Sequence, residues 1–402
     1  MAIQIRNPPE DELRRAMAAA QLAFAEAPMN DDEYARHSRM LDLERFYAAY
    51  DGGTPVGTAA DFGFRLTVPG GELATGGVTW VAVMPSHRRK GILTQLMRRE
   101  LDDLRERGEP LAVLWASEAA IYGRFGYGIA APTVQMDADR SRFALRDDPG
   151  PRGVARMVDS GEAVEACTHV YEAVRPTVPG FVARSREWWE TYRLADPEYW
   201  RRGASPKYIA VIDIDGEPAA YAIYRIKEDW VDGFSRSQVK LVETLAATPD
   251  GERELWRFVF GIDLIAQVQG RLDPASPLFL LVVDPRSLQL RVSEGLWLRL
   301  VDLEAALAGR SFASDDEVVI EVRDGFCPWN AGRWRIGGTV ARTDEDAELE
   351  LDVADLASAY LGGFSFSRLA AAERVRELKA GAVARADALF RTERPPYCPE
   401  DF

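Results

Sequence analysis

The densest concentration of chemistry in this 402-residue chain is the run Arg88-Arg89-Lys90-Gly91, set between an apolar stretch and a segment of helical period. Amides at a helix N-terminus lack intrahelical acceptors and carry partial positive charge, so such a junction binds a phosphate or pyrophosphate. Gly91 lets a ligand approach the backbone, and the arginines add charge-assisted hydrogen bonds. The run lacks the Gly-Lys-Ser/Thr ending of a P-loop and the spaced glycines of a dinucleotide fingerprint. A solvated basic turn is the plain alternative. A second candidate is Tyr122, followed by Gly126-Tyr127. A phenol held against a leaving group supplies its proton, although most tyrosines are simply packed with a satisfied hydroxyl.

The surrounding pattern gives these residues a frame. Strand Val78–Val83 leads through Met84-Pro85-Ser86-His87 into the basic run. A helix is expected from Ile92 to Arg107, its apolar positions Ile92, Leu93, Leu96, Met97, Leu101 and Leu104 on one face, with Gly108 beyond it. Leu111–Trp115 reads as a strand and Ile121–Phe125 as a short helix. Upstream, helices are expected at Glu10–Glu26 and Tyr34–Tyr50, and a strand at Ala59–Val68. Asp147–Gly153 reads as a linker.

Past it the pattern returns more weakly. The helix Glu162–Val174 precedes strands Tyr208–Ile214, Pro218–Ile226 and Val239–Ala246, helix Glu252–Ile265 and strand Leu278–Val283. This spacing points to a duplicated α/β unit. The second copy's turn, Thr248-Pro249-Asp250-Gly251-Glu252, sets acids where phosphates need cations, and Pro249 removes an N–H donor. It is expected to be scaffold. The Trp188-Trp189 pair and Trp200 read as core or interface. From about Leu290 a third module alternates strands (Val318–Arg323, Trp334–Ala341, Glu348–Val353) with helices (Val301–Ala308, Val353–Leu361, Leu369–Leu378).

With 47% hydrophobic and 28% charged residues the chain is globular, and its length calls for two or three domains. A net charge of −15 argues against nucleic acid and favours cationic ligands. Cys167, Cys327 and Cys398 are scattered, which excludes a disulfide framework and supports no acyl-cysteine route. Three histidines, His37, His87 and His169, offer no metal-ligand spacing, so no metal is expected. Neither a signal peptide nor a membrane span is read, and a cytoplasmic location is expected.

Arg88-x-x-Gly91-x-Leu93 resembles the pyrophosphate motif of the GCN5-related N-acetyltransferases (GNAT), with Leu93 where that family has Gly or Ala. Two longer stretches are similar to the enhanced-intracellular-survival (Eis) branch: Pro-x-His-Arg-Arg-x-Gly-x-Leu, then Ala-Ser-Glu-x-x-Ile-Tyr-Gly-Arg-Phe-Gly-Tyr-Gly. Leu66-Thr67-Val68-Pro69-Gly70 and the ending Pro396-Tyr397-Cys398 to Phe402 match as well. The resemblance implies a mixed α/β chain of tandem GNAT folds and a sterol-carrier-like α+β domain. The divisions expected are 1–148, 149–288 and 289–402.

It further implies acetyl-CoA as co-substrate, held by Val81, Ala82, Val83, Arg88, Arg89, Lys90, Gly91, Ile92 and Ser117. Tyr122 is then the general acid, and the terminal carboxylate on Phe402 positions or deprotonates the amine. Glu26, Trp80 and Asp401 are expected to face the substrate. The expected substrates are aminoglycosides, acetylated at several amines, or protein lysine side chains, and the expected assembly is a homo-hexamer without nucleic-acid or membrane partners. A non-catalytic carrier of an apolar ligand is the remaining alternative.

Overall fold

A computed structural model describes residues 3–402. Two compact units emerge. One contains the chain up to Ala131 together with Gly295–Pro396 and Glu400–Phe402; the other contains Pro132–Glu294 and Tyr397–Pro399.

The first unit opens with β1 (Gln4–Arg6), α1 (Glu10–Ala23), α2 (Asp31–Met40), β2 (Phe46–Asp51), β3 (Thr54–Val68) and β4 (Gly71–Val83). It continues with α3 (Ile92–Glu106), β5 (Leu111–Trp115) and the single turn α4 (Ala119–Tyr122). Strands β1 to β4 form an antiparallel run, and β5 lies parallel to β4. The parallel pair requires a crossover, which α3 supplies. Its Ile92, Leu96, Met97, Leu101 and Leu104 are buried at helical spacing, and Gly108 follows at φ +73°. The sheet continues with the strand Arg291–Leu300, antiparallel to β5 with Leu296 opposite Trp115 and Leu300 opposite Leu111.

The expected helix Tyr34–Tyr50 is corrected. It spans Asp31–Met40, capped by a reciprocal Asn30–Glu33 box, and Phe46–Asp51 is β2. Residues Phe46 to Tyr50 are all buried, and a continuous apolar run looks alike in a buried strand and a buried helix. On β3, Asp61 has a wholly buried side chain, ion-paired with Arg45 and with Arg107 at 3.2 Å. Glu109 completes the cluster through Arg45.

The same unit holds a five-stranded sheet built from Val318–Arg323, Gly332–Ile336, Ala341–Arg342, Leu349–Asp352 and Val375–Glu377. The helix expected at Leu369–Leu378 instead runs Phe366–Ala371, and Val375–Glu377 pairs with Leu349–Leu351.

The second unit repeats the first unit's plan. Val154–Met157, Tyr208–Ile214, Glu217–Lys227 and Ser237–Ala246 form an antiparallel run, and Ile265–Leu272 lies parallel to the last of them. The crossover is the helix Pro249–Gly261. Gly128–Asp139 adds the final antiparallel strand through Val134–Asp139. Duplication of the unit is therefore visible in strand order. Leu278–Leu281 is a helical turn after Pro277, where a strand was expected. Trp189 sits in the core with Tyr171 and Tyr221.

Candidate active site

The site starts from a defect in β4. Thr58 faces Ala82 and Ala60 faces Thr79, so Trp80 and Val81 together oppose one residue of β3, Ala59. This bulge puts Trp80 at φ +52°, and the Thr58 hydroxyl donates to the Trp80 carbonyl at 2.6 Å. Pairing of β4 with β5 covers only Thr75 to Gly77, opposite Leu111 to Val113. Beyond Gly77 the two strands separate. An extended ligand lies along such an open strand edge by main-chain hydrogen bonding.

At the end of β4, Pro85–His87 makes one turn of 3-10 helix. Arg89 then takes a left-handed conformation (φ +63°) and Gly91 another (φ +78°). Gly91 is the N-cap of α3, with no side chain capping the amides behind it. A methyl group built on Gly91 would meet nothing within 4 Å, so the helix end is open to a ligand. A non-glycine residue held at positive φ stores strain of order 1–3 kcal/mol, which is common where a loop is shaped for a ligand. His87 supports the loop: Nδ1 lies 2.8 Å from Ser86 Oγ, and Nε2 lies 3.2 Å from Asp51 Oδ2.

These elements enclose a cavity of about 450 Å³. Val81, Ala82 and Val83 line it from β4, Arg88, Arg89, Gly91 and Ile92 from the start of α3, and Ser117 and Tyr122 from the segment after β5. Nine of the sequence-selected residues thus converge on one cavity. Ala23 and Phe24, at the end of α1, line it too, with His87, Thr94 and Arg124. No spacing signal marked Ala23 and Phe24, because their contribution depends on where α1 ends, whereas His87 and Arg124 lie inside the two quoted motifs without having been selected.

The other selected residues lie elsewhere in this unit. Lys90 is exposed, as are Glu26, two positions past Phe24, and Asp401. Trp80 packs edge-on with His37 (centroids 5.6 Å apart) and against Phe46. Burial is the main force lowering the His37 pKa, with Arg36 adding to it. Phe402 rests edge-on against Phe64 at 5.1 Å, and its ring comes within 3.4 Å of a methyl built on Gly77. The chain terminus therefore reaches the segment of β4 where the strands part.

Tyr122 is 5% exposed and meets Tyr127 edge-on at 5.9 Å. Burial, then the carboxylates of Glu100 and Glu118, push its phenol up to about 12, against a lowering hydrogen bond with Ser117. It is a phenol at any physiological pH, the form an acid catalyst needs. Among the described residues no cluster of three or more His, Cys, Asp or Glu is arranged to hold a metal, and no helix is long and apolar enough to cross a membrane.

Comparison with known proteins agrees with this geometry. Residues 4–130 and 180–300 match two families each described as an acetyltransferase (GNAT) domain, and 303–399 match a sterol carrier protein domain. An uncharacterized N-acetyltransferase of Streptomyces avermitilis is 42% identical over 94% of this chain and 95% of its own. N-acetyltransferase Eis of Mycobacterium tuberculosis is 33% identical over 98% of both chains. The crystal structure of Eis1 from Mycobacterium abscessus superposes with a TM-score of 0.85 at 33% identity, covering 100% of both. A GCN5-related N-acetyltransferase from Anabaena variabilis reaches the same TM-score at 18% identity and shares the fold.

Proposed function

Since this chain belongs to the Eis family of N-acetyltransferases, we propose that it transfers acetyl from acetyl-CoA directly to primary amines of cationic substrates, with aminoglycosides as the substrate class. The observation carrying this reading is the single cavity shared by an uncapped helix end, a parted strand and a buried phenol. Acetyl-CoA, when bound, supplies the acyl group as a thioester. Arg88, Arg89 and the amides after Gly91 hold its pyrophosphate, and Lys90 adds charge at the rim. Val81, Ala82 and Val83 pair with the pantetheine arm, beside Ile92 and Ser117. Tyr122 gives its proton to the departing thiolate.

The amine must arrive unprotonated. The Phe402 carboxylate accepts that proton or fixes the ammonium, and Glu26, Asp401 and Trp80 line the approach. The net charge of −15 draws in a polycation. The proposed assembly is a cytoplasmic homo-hexamer.

A thiol-release assay with acetyl-CoA and a panel of aminoglycosides, polyamines and lysine peptides tests the reading. Turnover is expected to be fastest with aminoglycosides, and preference for lysine peptides would replace the substrate class. Tyr122→Phe is expected to lower kcat by about 10²-fold or more. An unchanged kcat would remove the general acid.

A further inference from the structure

The motif around Tyr122 carries two glycines that the proposed chemistry does not use. Gly126 closes the turn after the tyrosine: its amide donates to the Gly123 carbonyl at 3.0 Å, and the Tyr127 amide donates to the Tyr122 carbonyl at 3.3 Å. A methyl built on Gly126 would lie 2.3 Å from Arg299 Nη1 and 2.9 Å from Val353 Cγ1. Gly126 also takes φ +84°, which favours glycine, whereas the φ of Gly128 is not positive. Yet a methyl on Gly128 would lie 1.8 Å from the Ala354 carbonyl oxygen and 2.5 Å from Ser358 Oγ. Close approach of segments distant in sequence therefore demands glycine at both positions, and neither lines the cavity.

Those segments are the third module and the strand leading into it. Arg299 is wholly buried on the strand Arg291–Leu300 and ion-paired with Asp324. Asp324 follows the strand Val318–Arg323. Its carboxylate also accepts from the Phe326 amide at 3.1 Å, the Cys327 amide at 2.8 Å and Asn330 Nδ2 at 3.1 Å. Phe326 meets Phe125 edge-on at 5.1 Å. Val353, Ala354 and Ser358 lie on the helix Val353–Tyr360, every residue of which is buried. Tyr122, Phe125, Tyr127, Trp297 and Cys327 share one apolar cluster.

We infer that the third module braces the general acid: Arg299, fixed by Asp324, and the helix Val353–Tyr360 pack against Gly126 and Gly128 and so hold the turn that presents the Tyr122 hydroxyl. The inference rests on the reading of Tyr122 as the general acid. Arg299 is a positioning residue, since it reaches the phenol only through the main chain of the turn.

The need for a brace follows from the size of α4. A helix of four residues does not hold itself in place. A proton donor must stay within hydrogen-bond reach of its acceptor, and a misplacement of about 1 Å costs on the order of 10²-fold in rate. A guanidinium is planar and always charged, so one locked to a buried carboxylate gives the turn a stop that does not yield.

The test compares Arg299→Met with the double variant Arg299→Met/Asp324→Asn, which leaves no unpaired charge buried. Each is made in the full-length protein with a fluorotyrosine at position 122 and followed by fluorine NMR. The resonance is expected to shift or broaden in both variants. In the unlabelled enzyme kcat is expected to fall about 10-fold, with the KM for acetyl-CoA unchanged. In a Tyr122→Phe background the same substitutions should cost no further kcat, because the brace then has no proton to place. A resonance that stays in place in both variants overturns the proposal. So does a loss of kcat that recurs in full without the phenol, since that marks general loosening. Failure of the general-acid reading shows separately: Tyr122→Phe alone then keeps full kcat, while the resonance still reports the brace.

Discussion

The two crossover helices begin in contrasting ways. In α3 the N-cap is Gly91, no side chain closes the helix end, and two arginines precede it. In the helix Pro249–Gly261 the N-cap is Thr248, whose hydroxyl accepts from the Gly251 amide at 3.0 Å. Asp250 and Glu252 fill its first turn, and a methyl on Gly251 would sit 2.8 Å from the Ala219 carbonyl. One helix end is closed by its own sequence and the other is left open. The same strand order thus carries one open and one capped helix start, and the distinction lies in the residues around each.

The contrast can be broken by exchange. Arg88→Glu imports the acidic character of the second loop and is expected to weaken coenzyme A binding by about 10- to 100-fold, measured by calorimetry. An unaltered affinity would mean that the basic run is only a solvated turn. Glu100, wholly buried in α3, allows a second test. Glu100 has a folded-state pKa above its unfolded value, so its contribution to stability is full at acid pH and is lost as pH rises through the folded pKa. Glu100→Gln removes that loss. Its gain in stability should therefore be larger at pH 8 than at pH 4, reaching about 1–3 kcal/mol by denaturant titration; an equal gain at both pH values would contradict a neutral buried carboxyl. The smallest effect is expected at Thr248. Thr248→Ala should cost about 1 kcal/mol of stability and leave coenzyme A affinity untouched, since that helix end is used only for capping.

Local chemistry was the most legible part of the sequence. The periodicity of α3 and the basic run fall within a short window, and these together with the family resemblance named nine of the residues that line the cavity. What escaped depends on distant segments. Phe46–Asp51 was misread because burial on both faces erases a strand's alternation. Gly128–Asp139 and Arg291–Leu300 were overlooked as strands, since their pairing partners lie far along the chain. Phe24 and His87 enter the cavity through the packing of α1 and the hold of Asp51. Glu100 gave no signal, because glutamate in mid-helix ordinarily faces water.

The strand Arg291–Leu300 beside β5 has a consequence for biosynthesis. While the ribosome is still making the middle of the chain, β5 has emerged but its antiparallel neighbour has not. The nascent chain must therefore wait with an unpaired sheet edge, a template for wrong pairing. Long-range closure of this kind slows folding, so translation speed or a chaperone's hold over that interval would govern how much usable enzyme a cell obtains.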